Sequence, residues 1–257
     1  MLFPPFHHPS AIHTLSLPQS HVFILFIMSL GAAFVQRVSG FGFGIFIMTV
    51  LPYLMPSYGE ATTLSGLMAS VTSVIIVIRH YRHLQWRKLL PILLTFVIVS
   101  YFAVQFVSIA GDGVLKKLLG GILIAASLWF LFLAQRVHLP TSLSTQLGMG
   151  TLSGIMGGLF GMQGPPAVLY FISSAKKKEE YMAMAQMYFL IGNIIMTAYR
   201  ARCGYLTPAV IEGWCYGIAA VLTGTYLGSL VFRYISTDVL RKIIYTYMAI
   251  SGIIAML

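Results

Sequence analysis

Charge is what this chain has least of. Only 9% of its 257 residues are Asp, Glu, Lys or Arg, against about 25% in soluble domains. Acid is scarcer than base, six Asp and Glu against 16 Lys and Arg. Two cysteines, Cys203 and Cys215, stand at no metal-binding spacing and form no disulfide framework. All seven histidines, His7, His8, His13, His21, His80, His83 and His138, fall near the start, at the edges of apolar runs or between them. Ser65 and Ser153 therefore lack a buried histidine partner, which excludes nucleophilic catalysis and leaves no catalytic residue, metal site or cofactor to assign. What remains is apolar: 58% of residues and a mean hydropathy of +0.86. These values fix the class as an all-α polytopic membrane protein, placed in the cell (inner) membrane. The net charge of +10 does not point to nucleic acid. Its lysines and arginines cluster between apolar runs, as anchors beside lipid headgroups do.

Residues 1–20, with Pro4, Pro5, Pro9 and Pro18, read as a disordered tail; no Lys or Arg precedes Arg37, so a signal peptide does not fit. Apolar segments then follow in order: 22–36, 41–55, 61–78, 89–109 and 118–134 in a first membrane repeat over 21–134. A linker covers 135–146, and a second repeat over 147–257 contains 147–160, 165–172, 182–199, 208–232 and 243–257. Glycine-rich hinges interrupt both halves, at Ser39-Gly40-Phe41-Gly42-Phe43-Gly44 and at Gly157-Gly158-Leu159-Phe160-Gly161-Met162-Gln163-Gly164-Pro165-Pro166. A crossing helix needs roughly 20 residues, so the short pieces after each hinge are expected to be broken helices.

A shift of 120 residues lays Gly44 on Gly164, Glu60 on Glu180 and Ser73 on Asn193. Asp112-Gly113-Val114-Leu115-Lys116-Lys117 resembles Asp238-Val239-Leu240-Arg241-Lys242 near the ends of the halves. The shared order of elements predicts a duplication. If the hinge pieces cross, each half has five segments, the second copy is inverted, and 12 of the 16 basic residues share one side. The remaining four are Lys116, Lys117, Arg200 and Arg202. If the pieces only dip in, eight crossings split the charges seven against nine. The positive-inside rule favours ten segments, basic loops in the cytoplasm and both chain ends outside it.

Gly150, Gly154, Gly224 and Gly228 repeat at four-residue spacing and are expected to let helices approach closely. Gly42, Gly44, Gly161 and Gly164 fit packing and site-lining equally. Asn193, the one asparagine, sits mid-span, where its amide either bonds a neighbouring helix or lines a site. Gln105 and Gln186 read as packing contacts, Arg37 as an anchor at a helix end, and Lys176-Lys177-Lys178-Glu179-Glu180 as a solvated loop.

The two hinges carry a resemblance. Gly158-Leu159-Phe160-Gly161-Met162-Gln163-Gly164-Pro165-Pro166, and the first hinge with Pro52 eight residues beyond Gly44, are similar to the repeat motifs of the sulfite exporter TauE/SafE family. The likeness covers roughly residues 22–257, departing where Phe43 and Gln163 replace a common glycine. It implies a multi-spanning carrier of a small anion, such as sulfite, a sulfonate or a related organosulfur compound, with the lipid bilayer as its other partner and oligomeric state left open. Independently, a helix restarting within the bilayer presents unpaired N–H groups and a positive dipole end to anions. Gly42, Gly44, Ser73, Gly161, Gln163, Gly164, Pro165 and Asn193, with help from Thr72, are the expected substrate-binding residues, without a fixed buried cation. A non-transporting membrane subunit or assembly factor is the alternative.

Overall fold

A computed structural model describes residues 18–129 and 139–231, together with 246, 249, 250, 252 and 253. Most of the expected tail, the start of the linker and most of the last apolar segment lie outside them. Among the described residues lie ten α-helices: α1 (Gln19–Ser39), α2 (Phe43–Ile47), α3 (Leu51–Leu54), α4 (Tyr58–His80), α5 (Trp86–Ile109), α6 (Asp112–Leu128), α7 (Leu143–Phe160), α8 (Gly164–Ser174), α9 (Lys178–Arg202) and α10 (Pro208–Val231). Among the described residues there is no strand. Five helices among the described residues are long and apolar enough to cross a membrane: α1, α4 with its 3-10 extension to His83, α5, α9 and α10. The 11 residues of α8 extend about 16 Å, roughly half the hydrocarbon thickness, and α2 and α3 are shorter still.

Local chemistry sets these limits. Ser57 caps α4, accepting from the Glu60 amide at 3.2 Å while its hydroxyl donates to the Glu60 carboxylate at 2.9 Å. Ser142 caps α7 by accepting from the Thr145 amide, and Pro208 occupies the first turn of α10, where its missing N–H has no partner to lose. The expected tail ends inside a helix, since α1 begins at Gln19.

Two ends can be told apart by contacts. At the basic end Lys88 pairs with Glu180 at 2.7 Å and caps the Ser174 carbonyl of α8. At the opposite end Asp112 accepts from the Tyr58 amide, and Tyr205 lies against Gly59 and Val107. Thus α4 runs toward the basic end, while α5 and α9 run away from it. The most extensive packings are α5 on α7, α1 on α10 and α4 on α9. Glycines make the first two close. A Cβ on Gly224 would fall inside the Leu30 carbonyl of α1, and one on Gly228 would lie 2.9 Å from the Arg37 Cβ. Cβ atoms on Gly150 and Gly154 would meet Thr95 and Val99 of α5 at 2.8 Å. Arg37 is buried here rather than anchoring at a surface, and donates to Ser229 on α10 at 2.8 Å.

Outside, α5 shows Leu90, Leu94, Ile98, Phe102 and Phe106 every fourth residue, all exposed. The opposite face, with Leu89, Ile92, Phe96, Ser100, Val104 and Val107, is buried. A helix apolar on both faces, packed on one and bare on the other, faces lipid. Trp86 and Tyr81, half-exposed at its basic end, suit the headgroup level.

Replacing Gly224 by Ala is expected to force α1 from α10 and lower the melting temperature in detergent by several degrees, whereas Gly113→Ala, with nothing within 4 Å of its Cβ position, leaves it unchanged or slightly raised. Ile98→Arg should lower the membrane-inserted yield, because a cation facing lipid at mid-helix costs about 2.5–3.5 kcal/mol.

Candidate anion-binding site

Both glycine hinges are breaks between helices, built alike. Gly40 follows α1 with φ +83° and donates to the Gln36 carbonyl at 2.8 Å; Gly161 follows α7 with φ +68° and donates to Gly157 at 3.0 Å. The left-handed conformation ends each helix in one residue, and glycine adopts it without Cβ strain. The chain restarts at Phe43 as α2 and at Gly164 as α8.

The breaks meet. A Cβ on Gly44 would fall inside the van der Waals radius of the Gly161 carbonyl oxygen, and one on Gly164 would stand 3.7 Å from Phe41. Between them lies a cavity of about 30 Å³ lined by Gln36, Phe41, Gly42, Gly44, Gly161, Gln163, Gly164 and Asn193, among others. That is room for one or two water molecules, so a larger solute requires Phe41 or its neighbours to shift.

Several backbone carbonyls freed at each break are met by donors from α9. Tyr181 Oη donates to the Ser39 carbonyl at 3.3 Å and Gln186 Nε2 to the Gly40 carbonyl at 2.6 Å. Arg200, 1% exposed, donates to the Gly157, Gly158 and Thr62 carbonyls at 2.9, 3.2 and 3.0 Å. No carboxylate pairs with Arg200 among the described residues. The negative ends of α1 and α7 are thereby covered, while the start of α8 borders the cavity. Pro165 and Pro166 remove two amides from that first turn, leaving the Gly164 amide and the helix dipole as its contribution.

Side-chain amides complete the lining. Gln163 Nε2 donates to Asn193 Oδ1 at 2.8 Å, and Asn193 Nδ2 has no protein partner among the described residues. Gln36 Nε2 donates to Ser73 Oγ at 3.0 Å and to Gln186 Oε1 at 2.9 Å. The Oε1 atoms of Gln36 and Gln163 are buried without a partner. The Gln163 carbonyl, inside the break, accepts from Ser153, whose hydroxyl accepts from Tyr188 at 2.7 Å.

Of the residues expected from sequence, Gly42, Gly44, Gly161, Gln163, Gly164 and Asn193 come together here. Ser73 stands one layer behind, reaching the cavity through Gln36. Pro165 faces away, into an apolar cavity of about 310 Å³ between α6, α7 and α8. Thr72 is turned toward Thr225 of α10 at 3.3 Å. Sequence reasoning missed Gln36, Gln186 as a cap and above all Arg200. Counted with loop charges, Arg200 is the fixed buried cation that was not expected. A polar residue within the last turn of an apolar span was the only available signal.

Gly44→Ala should disrupt the contact between the breaks and lower thermal stability, whereas Gly164→Ala, with ordinary contacts at 3.7 Å, folds with near-normal stability. Arg200→Met leaves three carbonyls without their donor and should cost about 1–3 kcal/mol for each that stays unsatisfied, read as loss of folded protein in detergent.

The sulfite exporter TauE/SafE family profile matches residues 25–255. The chain is 27% identical over 212 residues to the Probable sulfite/organosulfonate exporter TauE of Cupriavidus necator, covering 77% of this chain and 80% of that protein. It is 24% identical over 213 residues to a Probable membrane transporter protein of Methanocaldococcus jannaschii, covering 77% of each. No solved structure matches it. These names are those of exporters and transporters rather than enzymes, and the five long apolar helices are those of an integral membrane protein. The chain belongs to the sulfite exporter TauE/SafE family.

Proposed function

We propose that this protein carries a small anion, sulfite or a related organosulfur compound, across the membrane by alternating access around the two helix breaks. The observation that carries the reading is the electrostatic asymmetry of the cavity. Carbonyl ends of α1 and α7 are covered by Tyr181, Gln186 and Arg200, which leaves the α8 start and the Asn193 amide as the donors that border the enclosed space. Charge acts strongly there, because little water screens it.

Two inverted repeats fit the same packing. α1 ends beside Tyr181 in the first turn of α9, and α7 beside Arg200 in the last, so the two run oppositely. Each packs on the other half's long helix, α1 on α10 and α7 on α5. The 120-residue shift also lays Tyr58, the first residue of α4, on Lys178, the first of α9. In this reading residues 21–134 and 147–257 are the repeats, and they rock about the α4–α9 contact to open the cavity alternately to each side. Two buried amide oxygens without partners cost about 1–3 kcal/mol each, which favours an arrangement where water in the cavity supplies donors to them while the anion accepts from the amide N–H groups.

In proteoliposomes the wild type should move sulfite, and Gly164→Leu, which fills the cavity, should abolish flux while reaching the membrane in normal amounts. Unchanged flux in Gly164→Leu would reject the site. Absence of flux with sulfite, thiosulfate, sulfoacetate and taurine would reject transport and favour the assembly-factor reading.

A further inference from the structure

A third cavity, of about 380 Å³, opens at the basic end between the last turn of α1, the end of α8 and the start of α9. Lys176, Lys177 and Lys178 line it, with Ser39, Tyr181 and Met182 as its floor. The lysines, read from sequence as a solvated loop, are thus grouped around one concave space. Acid at this mouth is largely spoken for. Glu180 is paired with Lys88 at 2.7 Å and accepts from the Lys176 amide at 3.1 Å, leaving Glu179 as the other carboxylate beside three ammonium groups.

The wall between this cavity and the one between the breaks is thin. Ser39 borders the outer space and Phe41 the inner one, with Gly40 between them. A Cβ on Gly40 would meet Tyr181 Oη at 2.8 Å and Met182 Sδ at 2.9 Å, so these two side chains close the gap against bare backbone. The Tyr181 bond to the Ser39 carbonyl, at 3.3 Å, is long for a hydroxyl donor.

We propose that the lysine-lined cavity is an outer oxyanion site, where the solute is held before it passes Gly40 to the inner cavity, and that Tyr181 and Met182 form the gate between the two. This rests on the anion-transport reading above. The outer space is more than ten times the inner one. It therefore collects oxyanions by charge, and the inner cavity selects among them by size. An anionic lipid headgroup offers the same oxyanion chemistry as a free solute, so the lipid must be varied in the test.

The experiment measures initial rates of radiolabelled sulfite uptake into proteoliposomes of phosphatidylcholine with and without phosphatidylglycerol, over a range of salt, for wild type, K176Q/K177Q/K178Q, Lys177→Glu and Tyr181→Phe. Removing the three charges should raise KM roughly fivefold to tenfold, with the maximal rate within about twofold, and should flatten the rise of KM with salt seen in the wild type. Lys177→Glu should raise KM in the same direction, and Tyr181→Phe should change the maximal rate with KM nearly constant. A triple variant with wild-type KM and salt dependence would overturn the outer site while leaving transport intact. A KM effect confined to vesicles containing phosphatidylglycerol would also overturn it, by assigning the lysines to headgroups. A wild type that moves no organosulfur anion overturns the transport reading itself, a separable result.

Discussion

Unwound backbone inside a bilayer has no water to satisfy it, and the rest of this structure depends on how that constraint is met. One helix contributes to both breaks. Along α9, Tyr181 and Gln186 serve the carbonyls after α1, and Arg200 serves those at the end of α7. α4 lies along α9 and supplies Ser73 to the Gln36–Gln186 pair and the Thr62 carbonyl to Arg200. The α4–α9 contact is therefore a polar seam through an apolar protein. A guanidinium with no carboxylate beside it among the described residues is tolerated there because the Gly157 and Gly158 carbonyls at the end of α7, with the Thr62 carbonyl of α4, accept from it.

Glycine provides the second requirement, close approach. Gly44 lies against the Gly161 carbonyl, and Gly154 and Gly224 bring α7 onto α5 and α10 onto α1. Side chains at these positions would separate the breaks and widen the space between them. The dimensions of the inner cavity follow from backbone contact more than from the bulk of the residues lining it.

Much of this was legible in the sequence, for physical reasons. Left-handed helix ends select glycine, so Gly40, Gly42 and Gly161 mark the breaks, and close helix crossings select the four-residue glycine spacing. Asn193 was conspicuous because an amide in an apolar span needs a partner. Helix limits were less legible. The piece expected over 41–55 is two short helices, and α8 runs on to Ser174. Pro165 follows Gly164 by one residue, which turns it about 100° around the helix and onto the α6 side. Arg200 escaped because its partners lie on α7 and α4, far off in sequence, and its position near a helix end matched an ordinary anchor.

The central claim is that an oxyanion sits between the two breaks, held by the start of α8 and the Asn193 amide. An anomalous-scattering structure with selenite, which shares the shape and charge of sulfite, tests it most directly. A selenium peak between Gly44 and Gly164, within hydrogen-bonding distance of Asn193 Nδ2, is the predicted result. Selenium found elsewhere in the protein, with none between the breaks, would contradict it.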